Sequence, residues 1–208
     1  MRQILDIVEI LGRSEQGRTR PFLCRCDDDQ LYFVKGRDAG KRSLLCEWIA
    51  AHLACAIGLP IPEFRVVQAP KALVNLHPEG RDLGEASAFG SLKVEYAQEL
   101  TTSHLDDIAV TLQRDVLVFD WWIRNSDRFL TEKGGNPNLL WDASDGKMVV
   151  IDHNLAFDRE CDAVQFIQTH VFHSQIPYVF HDLAERGAYA RRLSDALGIW
   201  PDACKNAP

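Results

Sequence analysis

The sequence predicts an α+β fold: an antiparallel sheet carrying one helix, followed by a mostly helical half. Three observations carry this. Strand-like runs rich in β-branched and aromatic residues crowd the first 98 residues. One segment with helical spacing interrupts them. Long apolar stripes at helical period dominate the rest. Strands first and helices later separate this pattern from the alternation of a parallel α/β sheet.

The first run, "QILDIVEIL", ends at Gly12, and the polar stretch "GRSEQGRTR" that follows is a loop with two glycines. "RPFLCRC" and "LYFVKG", joined by the acidic turn "DDDQ", form a hairpin. "KRSLLCEWIAAHLACAIGLP" is a helix. Leu45, Ile49, Leu53 and Ala56 recur at helical spacing, and Gly58 and Pro60 stop it. "IPEFRVVQ" is a strand, "APKALVNLHPEGRDLGEASA" an irregular connection, and "GSLKVEYAQEL" a strand running into a linker. The boundary near Tyr96–Leu100 gives two units, 1–98 and 99–208, within one domain. Beyond it, Ser103 and Asp106 fit a capping box, and Leu105, Ile108, Leu112, Val116, Phe119 and Ile123 mark one face of a long helix. Trp121 and Trp122 at its end are expected in the core. "NLLWD" and "KMVVID", separated by "ASDG", form a second hairpin. "DLAERGAYARRLSDALGI" is the last helix.

Composition narrows the function classes. With 46% hydrophobic and 25% charged residues, the 208-residue chain is globular and long enough to bury a core without staples. The net charge of −7 argues against nucleic acid as the main ligand. No apolar run reaches the roughly 20 residues that span a bilayer, and the N-terminus lacks a signal-peptide core, so a cytoplasmic protein without membrane contact is expected. The six cysteines are scattered. Cys24 and Cys26 would share one face of a strand as small buried thiols.

The residues with chemistry lie in "RNSDRFLTEKGGNPN" and "VVIDHNLAF". If the second hairpin pairs as expected, Asn138 and Asp152 meet at its open end, and Asp127 enters from the preceding loop. Two carboxylates and an amide are hard oxygen donors that suit Mg²⁺ together with substrate phosphates. In the first half, Lys35 ends a strand and Glu47 follows on the next helix, on a stripe with Ala50, Ala51 and Ala54. A Lys and a Glu so placed form the ion pair that aligns nucleotide phosphates. The loop Gly12–Gly17, with Ser14 in it, precedes both, where a phosphate-covering loop would sit. Taken singly, each residue has a plainer reading: Asp127 and Asn136–Pro137 as turns, Lys35 as a solvated cation, Ser14 and Thr19 as loop residues. The plain readings do not account for all of them in this order. Asn136 stays open as an alternative to Asn138. A metallohydrolase centred on Asp152–His153 would need further ligands, and the other six histidines form no such pattern.

On "LYFVK", "CEWIAAHLACAIGLPIPEF", "NSDR", "GNPNLLWD" and "VVIDHNLAFD" the chain resembles the HipA-like kinases, in a short branch close in motif to phosphatidylinositol 3/4-kinases. The resemblance spans roughly residues 8–160. It implies a two-lobed protein-kinase-like fold and an ATP- and Mg²⁺-dependent phosphotransferase acting on a protein Ser/Thr hydroxyl. Asp127 would then orient or deprotonate the acceptor, Asn138 and Asp152 would hold the metal, and Lys35, paired with Glu47, would contact the phosphates. The main chain of Glu95–Glu99, including Glu95, Tyr96 and Ala97, would meet adenine, while Gly12, Ser14 and Gly17 would cover the phosphates. An antitoxin or other regulatory partner protein is also implied. Three features depart from the family pattern. The loop between Asp127 and Asn138 is long, the phosphate loop is not G-x-G-x-x-G, and the C-terminal part is short. A non-catalytic nucleotide-binding module, or a lipid or small-molecule acceptor, are the alternatives.

Overall fold

The computed structural model describes residues 4–14, 19–131 and 134–208. Five strands close a barrel in the order β1-β2-β3-β5-β4: β1 (Leu5–Arg13), β2 (Phe22–Cys26), β3 (Leu31–Lys35), β4 (Phe64–Gln68) and β5 (Ala88–Leu92). Period-two alternation lines its interior with Leu5, Ile7, Phe22, Cys24, Cys26, Tyr32, Val34 and Val67. Cys24 and Cys26 are therefore buried on one face, and burial pushes both thiols up to about 12, which leaves them unreactive at neutral pH.

Two features correct the expected antiparallel sheet with one helix. β1 pairs with β4 in parallel, Leu5 opposite Val67, and this pairing closes the barrel. The connection expected to be irregular carries two short helices, α2 (Lys71–Leu76) and α3 (Gly80–Leu83), beside the main helix α1 (Lys41–Ala56). α3 packs so closely on the chain after Lys35 that a Cβ on Gly36 would lie 2.6 Å from both Cα and O of Leu83. Gly36→Ala is thus expected to cost about 1–3 kcal/mol by overpacking, read as a lowered urea midpoint at unchanged slope. A change within error would mean that α3 yields without resistance.

The second half holds β6 (Ala97–Glu99), α4 (Val110–Trp122), the hairpin β7 (Phe129–Thr131) and β8 (Gly134–Asn136), and the hairpin β9 (Leu139–Asp142) and β10 (Lys147–Val150). Four helices follow: α5 (Ala163–Thr169), α6 (Ile176–Phe180), α7 (Leu183–Ala196) and α8 (Trp200–Lys205). β6 pairs with β9, in the sheet order β10-β9-β6. The long helix starts later than its apolar stripe implies. Thr102–Asp107 is a 3-10 turn closed by a capping box between Thr101 and His104, and Ile108 is extended. Trp121 is 39% exposed, not core.

α1 joins the halves. Leu44, Trp48 and Ala51 pack against Val66 and Phe89 of the barrel. Cys46, Ala50, Leu53 and Ala54 pack against Val116, Leu117 and Phe119 of α4 and Leu139 and Val150 of the hairpin. The alanines give the close approach, and burial on both sides accounts for a helix with no polar face.

Candidate functional site

The β9–β10 hairpin sets the geometry. Val150 lies opposite Leu139, and Ile151 N–H donates to Asn138 O at 3.1 Å. Asn138 and Asp152 therefore leave the ladder side by side. Both take left-handed backbone, φ 47° and 57°, a conformation that Asn and Asp adopt more readily than most residues.

Two hydrogen-bonded groups converge at this end. In the first, the Lys35 ammonium donates to Glu47 Oε1 and, at 2.9 Å, to Asp152 Oδ1. Glu47 Oε2 accepts the His153 backbone N–H at 3.1 Å, so this carboxylate ties β3, α1 and the segment after Asp152 together. Lys35 and Glu47 are buried, and one ammonium serves two carboxylates. Burial would lower Lys35, but Glu47 and Asp152 outweigh it and raise its pKa. Burial lifts Glu47 to about 7 against the pull of Lys35. Burial would also lift Asp152, yet Lys35 holds it at about 2. The two carboxylates diverge because they act on each other while sharing one ammonium: Asp152 adds to the rise of Glu47, and Glu47, then the Asn154 N–H, add to the lowering of Asp152.

In the second group, Asp127 Oδ2 accepts from both Asn136 Nδ2 at 2.9 Å and Asn138 Nδ2 at 3.3 Å. The choice between these asparagines thus takes a different form, because both orient Asp127. Burial raises the Asp127 pKa, the two amides oppose it, and the nearby Asp152 charge adds to the rise. The long insertion between Asp127 and Asn138 is the β7–β8 hairpin, with Phe129 opposite Asn136. It returns the chain to within bonding distance of where it left.

The donor set fits a divalent cation. Both N–H donors that reach Asp152 bind Oδ1, which leaves Oδ2, and the amide nitrogen of Asn138 faces Asp127, which leaves Asn138 Oδ1. Among the described residues, no three His, Cys, Asp or Glu side chains group to hold a metal ion. A Mg²⁺ site needs only one or two protein carboxylates when phosphates complete it. His153 faces the buried support and not the open end: it packs against Phe119 with Nε2 3.4 Å from the Arg128 guanidinium, and burial first, then Arg128, pushes it down to about 3.

Sequence reasoning missed the group that supports both clusters. Arg128 is fully buried. It donates from Nε to Asp120 Oδ2 at 2.6 Å, and from Nη1 to the carbonyl of Asn138 and to those of Pro137 at 3.1 Å and Ile151 at 3.3 Å. It thereby fixes the chain on both sides of Asn138 and just before Asp152. Asn125 Nδ2 and His170 Nε2 complete the contacts of Asp120, at 2.9 and 3.0 Å. Burial would raise Asp120, but Arg128 and His170 hold it below the usual carboxylate range. The available signals were an Asp within the apolar run "VLVFDWWI" and an Arg directly after Asp127.

His170 stays neutral. Its Nδ1 accepts the Phe172 N–H at 3.1 Å, so the proton sits on Nε2, facing Asp120. Burial lowers its pKa, Asp120 opposes this, and Arg128 and His173 add to the lowering. As pH falls below the ordinary His value of about 6.5, the unfolded chain takes up a proton that folded His170 refuses. This stability is present at neutral pH and is lost on acidification, by up to about 1.4 kcal/mol per pH unit. His170→Gln keeps a donor and an acceptor without titrating, so its urea midpoint should fall less than wild type between pH 7 and 5. Parallel curves would rule out this role.

The remaining site candidates lie on the barrel and the linker. Gly12 is opposite Leu23, which is opposite Phe33, so it lies across β2 from the middle of β3. The next residue, Arg13, pairs with Asp38, Glu79 and Asp82 and stacks on Phe22 at 4.6 Å. Ser14 N–H donates to Pro21 O at 2.9 Å, which draws the two ends of the loop together. Gly17 lies outside the described residues. Glu95 and Tyr96 form an exposed turn, with Tyr96 at φ 58°, and Ala97 begins β6, one edge of which is unpaired in the described sheet. Two cavities lie away from the Asp127–Asp152 cluster: about 490 Å³ beside Arg192 and Ile199, and about 580 Å³ beside Trp48 and Phe64.

A barrel with a buried Lys–Glu pair, facing a hairpin that presents Asn and Asp, is an arrangement suited to phosphoryl transfer. The family described as HipA-like kinase matches residues 7–208, and the chain belongs to it. Its class is therefore that of the kinase-like phosphotransferases. The crystal structure of a Helicobacter pylori proinflammatory kinase, CtkA, is similar at 13% identity and a TM-score of 0.48, covering 89% of this chain and 68% of that one. No curated protein gives a significant match. Among the described residues, no helix is long and apolar enough to cross a membrane.

Proposed function

We propose that the chain is a cytoplasmic ATP- and Mg²⁺-dependent kinase that transfers the γ-phosphate to a Ser or Thr hydroxyl of a protein. Units 1–98 and 99–208 would be its two lobes. The convergence of Lys35, Glu47 and Asp152 with Asp127 and Asn138 at one hairpin end is the observation that carries the reading. The protein acceptor, and a regulatory partner of the antitoxin kind, rest on the family alone.

Asn138 Oδ1 and Asp152 Oδ2 would hold the metal. Bound Mg²⁺ supplies charge neutralisation at the β- and γ-phosphate oxygens. Lys35, oriented by Glu47, offers its ammonium to the phosphates. Asp127 has Oδ2 committed to the two asparagines, so Oδ1 receives the acceptor hydroxyl and takes its proton late in transfer. Its raised pKa favours that task. The unpaired edge of β6 and the Glu95–Ala97 turn would meet adenine through main-chain groups, and Gly12, Ser14 and Gly17 would cover the phosphates.

The test is thermal unfolding with and without ATP–Mg²⁺, beside incubation with γ-labelled ATP and candidate proteins. At nucleotide about 100-fold above its Kd, the folded state should gain about 2.7 kcal/mol, a rise of roughly 5–10 °C in Tm. Lys35→Met should lose most of that rise. A shift without label transfer would make the chain a nucleotide-binding module. No shift at all would reject the reading.

A further inference from the structure

α8 spans the seam between the two chain segments that carry Glu47 and Asp152. On one side it meets α1. Trp48, the neighbour of Glu47, donates its indole N–H to Ala203 O at 2.9 Å in a buried contact. That carbonyl lies in the last turn of α8, where helix carbonyls lack partners of their own, so Trp48 caps the helix. Ala207 packs on the same cluster as Leu44 and Trp48. On the other side, Trp200 meets Phe157 edge-on at 6.3 Å, five residues beyond Asp152. The segment between is itself bound to α1. His153 N–H reaches Glu47, Cys46 Sγ donates to Ala156 O at 3.2 Å, and Arg42 donates to Phe157 O at 3.3 Å.

We propose that α8 is a clamp that keeps α1 in register with the segment after Asp152, with Trp48 and Trp200 as positioning residues that act through Glu47 and Asp152. This rests on the reading of that cluster as the phosphate-aligning site. A cavity of about 580 Å³ opens beside Trp48, His52 and Phe64 and reaches Asn206, just past the end of α8. Releasing the clamp lowers the fraction of molecules in the registered state. Nucleotide selects that state, so the loss falls on apparent affinity and is recovered at saturation.

Cys46 gives a readout independent of phosphotransfer. It is buried, and its Sγ lies on the seam that the clamp closes. Full-length Trp48→Phe keeps a ring without the donor, and Trp200→Ala removes a half-exposed side chain. In each, alkylation of Cys46 by iodoacetamide, located by peptide mass mapping, should rise about tenfold, the scale of a coupling between sites. ATP–Mg²⁺ should restore protection. The KM for ATP should rise by a similar factor, with kcat recovered at saturating ATP. Val179→Ala, a buried truncation in α6, should lower Tm and leave Cys46 protected. Unchanged Cys46 in both tryptophan variants, an equal rise in Val179→Ala, or a kcat loss without a KM change would each overturn the clamp. A wild-type chain that transfers no phosphate would defeat the proposed function, while the alkylation arm would still decide the register.

Discussion

Replacing Arg128 by alanine is expected to lower the unfolding free energy by about 3–5 kcal/mol, the effect of leaving a buried charge without its partner. The variant strands Asp120 with only Asn125 and His170, and leaves the Pro137, Asn138 and Ile151 carbonyls without their shared donor. Arg128→Lys should recover only part of the loss. An ammonium cannot supply the planar fork that reaches Asp120 from Nε and three carbonyls from Nη1. Urea unfolding of the three proteins is the measurement. A loss for Arg128→Ala below about 1 kcal/mol, the scale of an ordinary surface pair, would show that the network does not hold the site.

The second large effect is chemical. Asp127→Asn should reduce phosphotransfer by about 10²–10⁴-fold, the range for removal of a general base, while the Tm rise with ATP–Mg²⁺ is kept. Asparagine fits the space, and its amide oxygen can still accept from Asn136 and Asn138, so the loop should survive. What it lacks is a second oxygen able to take the acceptor proton. If the variant transfers phosphate at the wild-type rate, Asp127 has no part in the chemistry. If it loses nucleotide binding as well, the loop has collapsed and the change reports on structure.

Spacing made much of this legible. The hairpin flanked by Asn138 and Asp152 could be read from two short apolar runs and the turn between them, because pairing is local. Lys35 at a strand end and Glu47 on the next helix could be read for the same reason. The support was less legible. Arg128 meets Asp120 eight residues back and carbonyls up to 23 residues on, and His170 reaches Asp120 across 50 residues. No periodicity encodes such contacts. The parallel pairing of β1 with β4 was hidden for the same reason, since it joins strands some sixty residues apart. The start of α4 was misplaced because the apolar stripe continues through a 3-10 turn that a helix-period count does not distinguish. α2 and α3 have six and four residues, with proline and glycine at their borders, too few to show a period.

The register of β9 and β10 has a consequence for how the sequence can drift. Asn138 and Asp152 are brought together by counting residues from a shared turn, four strand residues on each arm. One residue added to either strand would shift one of the two and turn its neighbours to the opposite face. Residues added within Ala143–Gly146 would leave both where they are. Relatives of this chain should therefore differ in length at that turn and keep their length within the strands, so the hairpin serves as a gauge that tolerates change at its tip and none along its arms.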